Sequence, residues 1–250
     1  MPAVVVDQGQ GLSIERSFGR SSPIGWTKVF QEVQKTTRII MHDRAGLGSS
    51  DPAPGPRTSV EMVQDLRAVL AAAQVPPPYV LVGHSIGGFN VRLFAGRYLD
   101  EVAGMVLVDS SHPDQIQNFA SVLPPETTDE TNSLNLLRRG PDIALSTEAI
   151  DFRACAEQVR GIRTIGLKPL VIVSQSPQAL GPPNIPPAVW EKMRITWSRM
   201  QTDLLELSGL ATQVVAIHSG HQIQVEEPAL VVGAILDVLR GAQAATPRKH

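Results

Sequence analysis

Along the chain, short β-branched runs alternate with longer stretches in which apolar residues return every three or four positions. The runs Ala3–Val6, Thr37–Met41, Tyr79–Val82, Gly104–Val108, Pro169–Ser174 and Gln213–Ile217 each predict a buried strand. The alternation predicts an α/β fold, a mostly parallel, doubly wound sheet of about six strands with helices on both faces. Thr58 and Glu61 have capping-box spacing and open a helix with an apolar stripe of Met62, Val63, Leu66, Val69, Leu70 and Ala73. A second stripe, Val189, Met193, Trp197, Met200, Leu204 and Leu207, predicts a long helix ending before Gly209. The last helix starts at Pro228, carries Leu230, Val231, Ala234, Ile235, Val238 and Leu239, and stops before Gly241, leaving a frayed tail from Ala242.

Two stretches break this rhythm. DPAPGPR (51–57) and GPPNIPP (181–187) read as rigid proline-rich loops. Residues 111–168 are too long for one crossover helix and hold helical fragments near Ile116–Val122, Asn132–Arg138 and Thr147–Val159. They are expected to form a helical cap, with 1–110 and 169–250 as the core. The apolar cap residues Ile116, Phe119, Val122, Leu123, Leu134, Leu136, Leu137, Ile143 and Leu145 either line an acyl pocket or pack the cap onto the core.

The 250 residues are 42% hydrophobic and 18% charged, with a formal net charge of −2. This composition suits one globular domain and offers no basic surface for nucleic acid or membrane. The apolar stretch Ala229–Leu236 is too short to span a bilayer, and the start MPAVVVDQGQG does not read as a secretory leader. A cytoplasmic location is therefore the expectation. The single cysteine, Cys155, excludes an internal disulfide and reads as a buried thiol. Neither metal-ligand spacing nor a nucleotide fingerprint occurs, so cofactor-free chemistry without a metal is expected.

The candidate chemistry sits in VLVGHSIGGF (80–89). Tyr79–Val82 is strand-like, whereas Phe89, Val91, Phe94, Ala95 and Tyr98 follow helical spacing, so Ser85 falls where a strand turns sharply into a helix. Gly83 and Gly87 flank it in the G-x-S-x-G pattern, as a tight turn with closely approaching backbone demands. A serine hydroxyl needs a base, and the base an orienting group. His84 adjoins Ser85 and points away from it, which leaves it a structural role. His42, His112 and His218 lie at or beyond strand ends, and His221 in a glycine-flanked loop.

With this elbow, DRAGLGSSD (43–51), EVAGMVLVDSSHPDQ (101–115) and SGHQIQVEEP (219–228) in order, the chain resembles the α/β-hydrolase superfamily over most of its length. It departs from that pattern at its start. The strand Ala3–Val6 comes almost at once, so the two usual preceding antiparallel strands are absent or rebuilt, and an extended segment, GLSIERSFGRSSPIGW (11–26), follows.

The resemblance implies Ser85 as nucleophile and His221 as base. The usual acid position, in QSPQALGPPNIPP after the fifth strand, holds no carboxylate, and Asp203 lies inside the long helix. Asp109, where some members carry their acid, is the candidate; its plainer reading is a strand-end carboxylate capping the next turn. Should neither serve, Ser174 could orient the ring in a dyad. The oxyanion donors implied are the backbone N–H groups of Ile86 and Gln10. Asp43 and Arg44 read as loop anchors. The function expected is hydrolysis of a small-molecule carboxylic ester through an acyl-enzyme. The alternatives are a related lactonase, thioesterase, acyltransferase, hydroxynitrile lyase or carbon–carbon hydrolase, or a non-catalytic ligand-binding protein of the same fold.

Overall fold

In the computed structural model, the described residues are 1–14, 25–128, 133–140 and 147–244. Six strands, β1 (Ala3–Asp7), β2 (Ile39–Met41), β3 (Tyr79–His84), β4 (Val102–Val108), β5 (Leu170–Ser174) and β6 (Ala211–Val215), form one sheet in the order β2-β1-β3-β4-β5-β6, and every pairing is parallel. The strand order reverses between β1 and β3. The crevice at their C-terminal ends is thus a topological switch point, where open α/β sheets hold their ligands.

Alternate residues on each strand enter separate cores, as the two-residue strand period requires. Val5, Leu81, Met105, Leu107 and Ile172 face one layer, with α2 (Ser59–Ala72), α3 (Gly87–Arg97) and α6 (Phe152–Arg160). Val4, Val6, Val80, Val82, Val106 and Val173 face the other, with α1 (Thr27–Val33) and α9 (Pro228–Ala244). The capping box forms: Glu61 accepts the N–H of Thr58, and Thr58 Oγ1 accepts the N–H of Val60.

Several element boundaries differ from the expectation. The sixth strand runs Ala211–Val215, two residues early, so His218 lies in the following turn. Pairing with β5 sets this register, and Ile217 is left exposed. The long helix α7 (Pro187–Asp203) tightens at its end into a 3₁₀ turn, Leu204–Leu207, which continues the apolar stripe. Helix α9 runs through Gly241 to Ala244, because that glycine serves a close approach: a Cβ there would lie 2.9 Å from Pro169 Cγ. The remainder of the expected tail, 245–250 with His250, is outside the described residues.

Helices α4 (Gln115–Val122) and α5 (Ser133–Arg139) pack on α7 through Phe119, Leu123, Met193, Trp197 and Met200. The third cap fragment begins only at Phe152, with Asp151 Oδ1 capping the N–H of Ala154, and its Phe152, Cys155 and Val159 enter the core beneath α3. Apolar packing therefore divides 111–168 between the sheet and α7. Ile143, Leu145, Asn132 and the side chain of Leu136 lie outside the described residues, as do 15–24 of the extended N-terminal segment. No helix among the described residues is long and apolar enough to cross a membrane.

Candidate active site

The strand-to-helix turn at Ser85 is strained where the sequence places it: Ser85 has φ +54°, in the left-handed region. A Cβ on Gly83 would lie 2.6 Å from Val91 Cγ2 and 2.7 Å from Gly88 Cα, and one on Gly87 would overlap the carbonyl oxygen of Asp7. The glycines therefore let α3 start directly against β3 and the end of β1. The Ser85 carbonyl accepts the N–H of Ser111 at 3.0 Å, which ties the elbow to the turn after β4.

His221, from the loop between β6 and α8 (Ile223–Glu226), donates through Nδ1 to Asp109 Oδ2 at 2.6 Å. Asp109 also takes a left-handed backbone, φ +39°, and is fully buried. Its other oxygen, Oδ1, accepts the indole Nε1–H of Trp197 at 2.8 Å and the backbone N–H of Gln175 at 3.0 Å. The loop after β5 lacks a carboxylate but supplies this amide donor. One turn beyond Trp197, Gln201 Nε2 donates to the carbonyl of Ser110 at 2.8 Å, so α7 holds the strand-end turn at two points. The His221 side chain is 42% exposed, whereas that of Asp109 is fully buried. Among the described residues, Ser85 makes no hydrogen bond to the His221 ring.

His84 is fully buried and stacks at a tilt on His221, ring centroids 4.7 Å apart. Its Nε2 contacts the His221 carbonyl at 3.0 Å; a carbonyl only accepts, so Nε2 carries the proton. Burial, with the nearby His221 and Arg44, pushes its pKa down to about 3 and keeps the ring neutral. A Cβ on Gly9 would lie 3.0 Å from His84 Nδ1, so this ring is wedged between the histidine loop and the loop after β1.

That second loop is fixed by Arg44. Its guanidinium pairs with Asp7 and Glu148, each at 2.6 Å, and donates to the carbonyls of Gln8 and Gly9. Glu148 also accepts the N–H of Gly11 at 2.7 Å. Burial opposes the Arg44 charge, but the two carboxylates outweigh it and raise its pKa. Gln10 lies between these anchors. Ile86 stands at the start of α3, where the first amides of a helix have no intrahelical acceptor. Asp43 accepts the N–H of Ile14 at 2.6 Å, a loop anchor as its sequence position suggested. Ser174 Oγ accepts from Gln213, and Asp203 ends α7; among the described residues neither hydrogen-bonds to His221.

Trp197 is the residue whose part in the site sequence reasoning missed. In sequence it is one member of an apolar helical stripe; the only signal was that a buried indole N–H requires an acceptor. No cluster of metal-ligand residues occurs among the described residues.

Residues 16–163, more than half of the chain, match the family model described as the alpha/beta hydrolase fold. The chain belongs to the α/β-hydrolase family. YqjL of Bacillus subtilis is 28% identical to this family member over 242 residues, covering 96% of this chain and 87% of its own length. An esterase from Thermogutta terrifontis superposes with a TM-score of 0.60 at 21% identity, over 97% of this chain and 90% of its own. A meta-cleavage product hydrolase from Pseudomonas fluorescens gives 0.64 at 18% identity, over 97% and 92%. At these identities the two structures share the α/β-hydrolase fold with this chain.

Proposed function

We propose that this α/β-hydrolase-fold protein is a serine hydrolase cleaving small carboxylic esters through an acyl-enzyme. The observation that carries this reading is the 2.6 Å contact between His221 Nδ1 and the buried Asp109, at the same sheet edge as the strained Ser85 turn. In the proposed cycle, His221 Nε2 takes the proton of Ser85 Oγ as that oxygen attacks the ester carbonyl. Asp109 fixes the Nδ1–H tautomer and stabilises the imidazolium. The backbone N–H groups of Ile86 and Gln10 hold the tetrahedral oxyanion. His221 then passes its proton to the leaving alcohol and next deprotonates the water that releases the acid. The α4–α5 pair, seated on α7 beside Trp197, is the part of the cap proposed to bound the acyl side.

Labelling of the purified protein by a fluorophosphonate probe, alongside hydrolysis of aryl esters of increasing acyl length, tests this. Labelling and turnover, both lost in Ser85→Ala, are expected. A folded protein that neither labels nor turns over any ester is instead a ligand-binding member of the fold.

A further inference from the structure

A cleft of about 410 Å³ opens on the flank of the molecule, between α3, the turn after β4, the segment beyond α6 and the 3₁₀ turn Leu204–Leu207. None of Ser85, His221 and Asp109 lines it. Its wall includes Arg92, seven residues beyond Ser85 on α3 and only 4% exposed. The Nε and Nη1 groups of Arg92 are buried and have no hydrogen-bond acceptor among the described residues. The carboxylate whose field reaches it is Asp114, and Asp114 is engaged by Arg160. Burial draws the Arg92 pKa down to about 10, against the opposing pull of Asp114, so the group is still a cation at neutral pH.

A buried charge that is not directly paired opposes folding, and buried donors in native proteins are almost always paired. The cleft also presents His112. Its Nδ1 accepts the N–H of Asp114 at 3.1 Å, and burial beside Arg92 and Arg160 lowers its pKa to about 4. The neutral ring therefore carries its proton on Nε2, a second donor at the same wall. Arg163 lines the cleft too, and makes no ion pair among the described residues. Asp203 and Glu206 stand on the side formed by the end of α7 and the 3₁₀ turn. Their charge disfavours an extended polyanion and limits the fit to one compact anionic group at the Arg92 wall.

We propose that this cleft is a second ligand site, which takes the carboxylate or phosphate group of a small molecule on the guanidinium of Arg92 and the Nε2–H of His112. The full-length protein is titrated calorimetrically with inorganic phosphate and with acetate, at constant ionic strength against chloride, and its melting temperature is followed under the same conditions. Saturable binding of at least one anion and a matching rise in Tm are expected; which anion binds more tightly distinguishes phosphate from carboxylate recognition. Arg92→Met keeps an unbranched apolar stem and removes the guanidinium with its charge. It should weaken binding about tenfold or more, the worth of one hydrogen bond to a charged group, whereas Ser85→Ala should bind as the parent does. Absence of saturable binding of both anions, or equal binding by Arg92→Met, overturns the proposal. If Arg92→Met does not fold, His112→Ala and Arg163→Gln decide it, and unchanged binding in both overturns it equally.

Discussion

Trp197 and His221 meet on one carboxylate: the indole N–H reaches Asp109 Oδ1 at 2.8 Å while the imidazole Nδ1 reaches Oδ2 at 2.6 Å. A helix that packs the cap thereby also orients the proposed acid. Trp197→Phe keeps an aromatic ring at the Phe119 contact and removes the donor, at the cost of a smaller ring. It should lower kcat for a small aryl ester roughly tenfold, the worth of one hydrogen bond to a charged group, with the circular dichroism unchanged. An unaltered kcat would mean that the Gln175 amide alone holds the carboxylate.

Asp109→Asn changes neither size nor shape, but it removes the charge that stabilises the imidazolium and the acceptor that fixes the ring tautomer. A loss on the order of 10⁴-fold in kcat is expected, as for the serine-protease acid. Ser85→Ala and His221→Ala should each cost a similar or larger factor, and combined they should not add. Asp203→Asn, at the far end of α7, should stay within a small factor of the parent. A crippled Asp203→Asn beside an active Asp109→Asn would reassign the acid.

Buried histidines, His84 and His112 among them, set a direction for stability against pH. In the unfolded chain each ring takes up a proton near the ordinary value of 6.5; in the fold His84 waits until about 3 and His112 until about 4. Between these limits the unfolded chain binds more protons, so acid favours unfolding. Their contribution is complete above the unfolded pKa and is lost progressively as pH falls from 6.5 toward about 4 for His112 and about 3 for His84. Urea midpoints measured at pH 7.5 and at pH 5 should fall with acidification, and His112→Gln should flatten part of the slope. A midpoint that does not move across this range contradicts the buried neutral rings.

Arg44 is the counter-charge for two buried carboxylates. Arg44→Met leaves Asp7 and Glu148 without it and releases the carbonyls of Gln8 and Gly9 that the guanidinium holds. Breaking such a buried pair costs roughly 3–5 kcal/mol, readable by urea unfolding. The surviving folded protein should lose kcat more than it raises KM, because the Gln10 loop is proposed to act on the oxyanion. A purely structural role would leave kcat per folded molecule intact.

Local pattern determined the layers. Six β-branched runs, the Thr58–Glu61 capping box and the change from strand to helix spacing around Ser85 are short-range features, and each formed within a few residues of its expected place. The glycines around Ser85 were legible for the same reason, since the steric demand of the turn falls on its immediate neighbours. Periodicity also gave α7 its apolar stripe, but not the direction of the indole N–H at one of its positions. The contacts that build the candidate site join residues far apart in sequence: His221 and Asp109 by 112 positions, Trp197 and Asp109 by 88, Arg44 and Glu148 by 104. The strand ends bring some of these together and loop placement the others, and neither follows from a period of two or of 3.6. Burial is likewise a property of the assembled chain. It decides that His84 stays neutral and that Arg92 is left with buried donors that lack an acceptor, because the surroundings that desolvate those side chains exist only once the layers close.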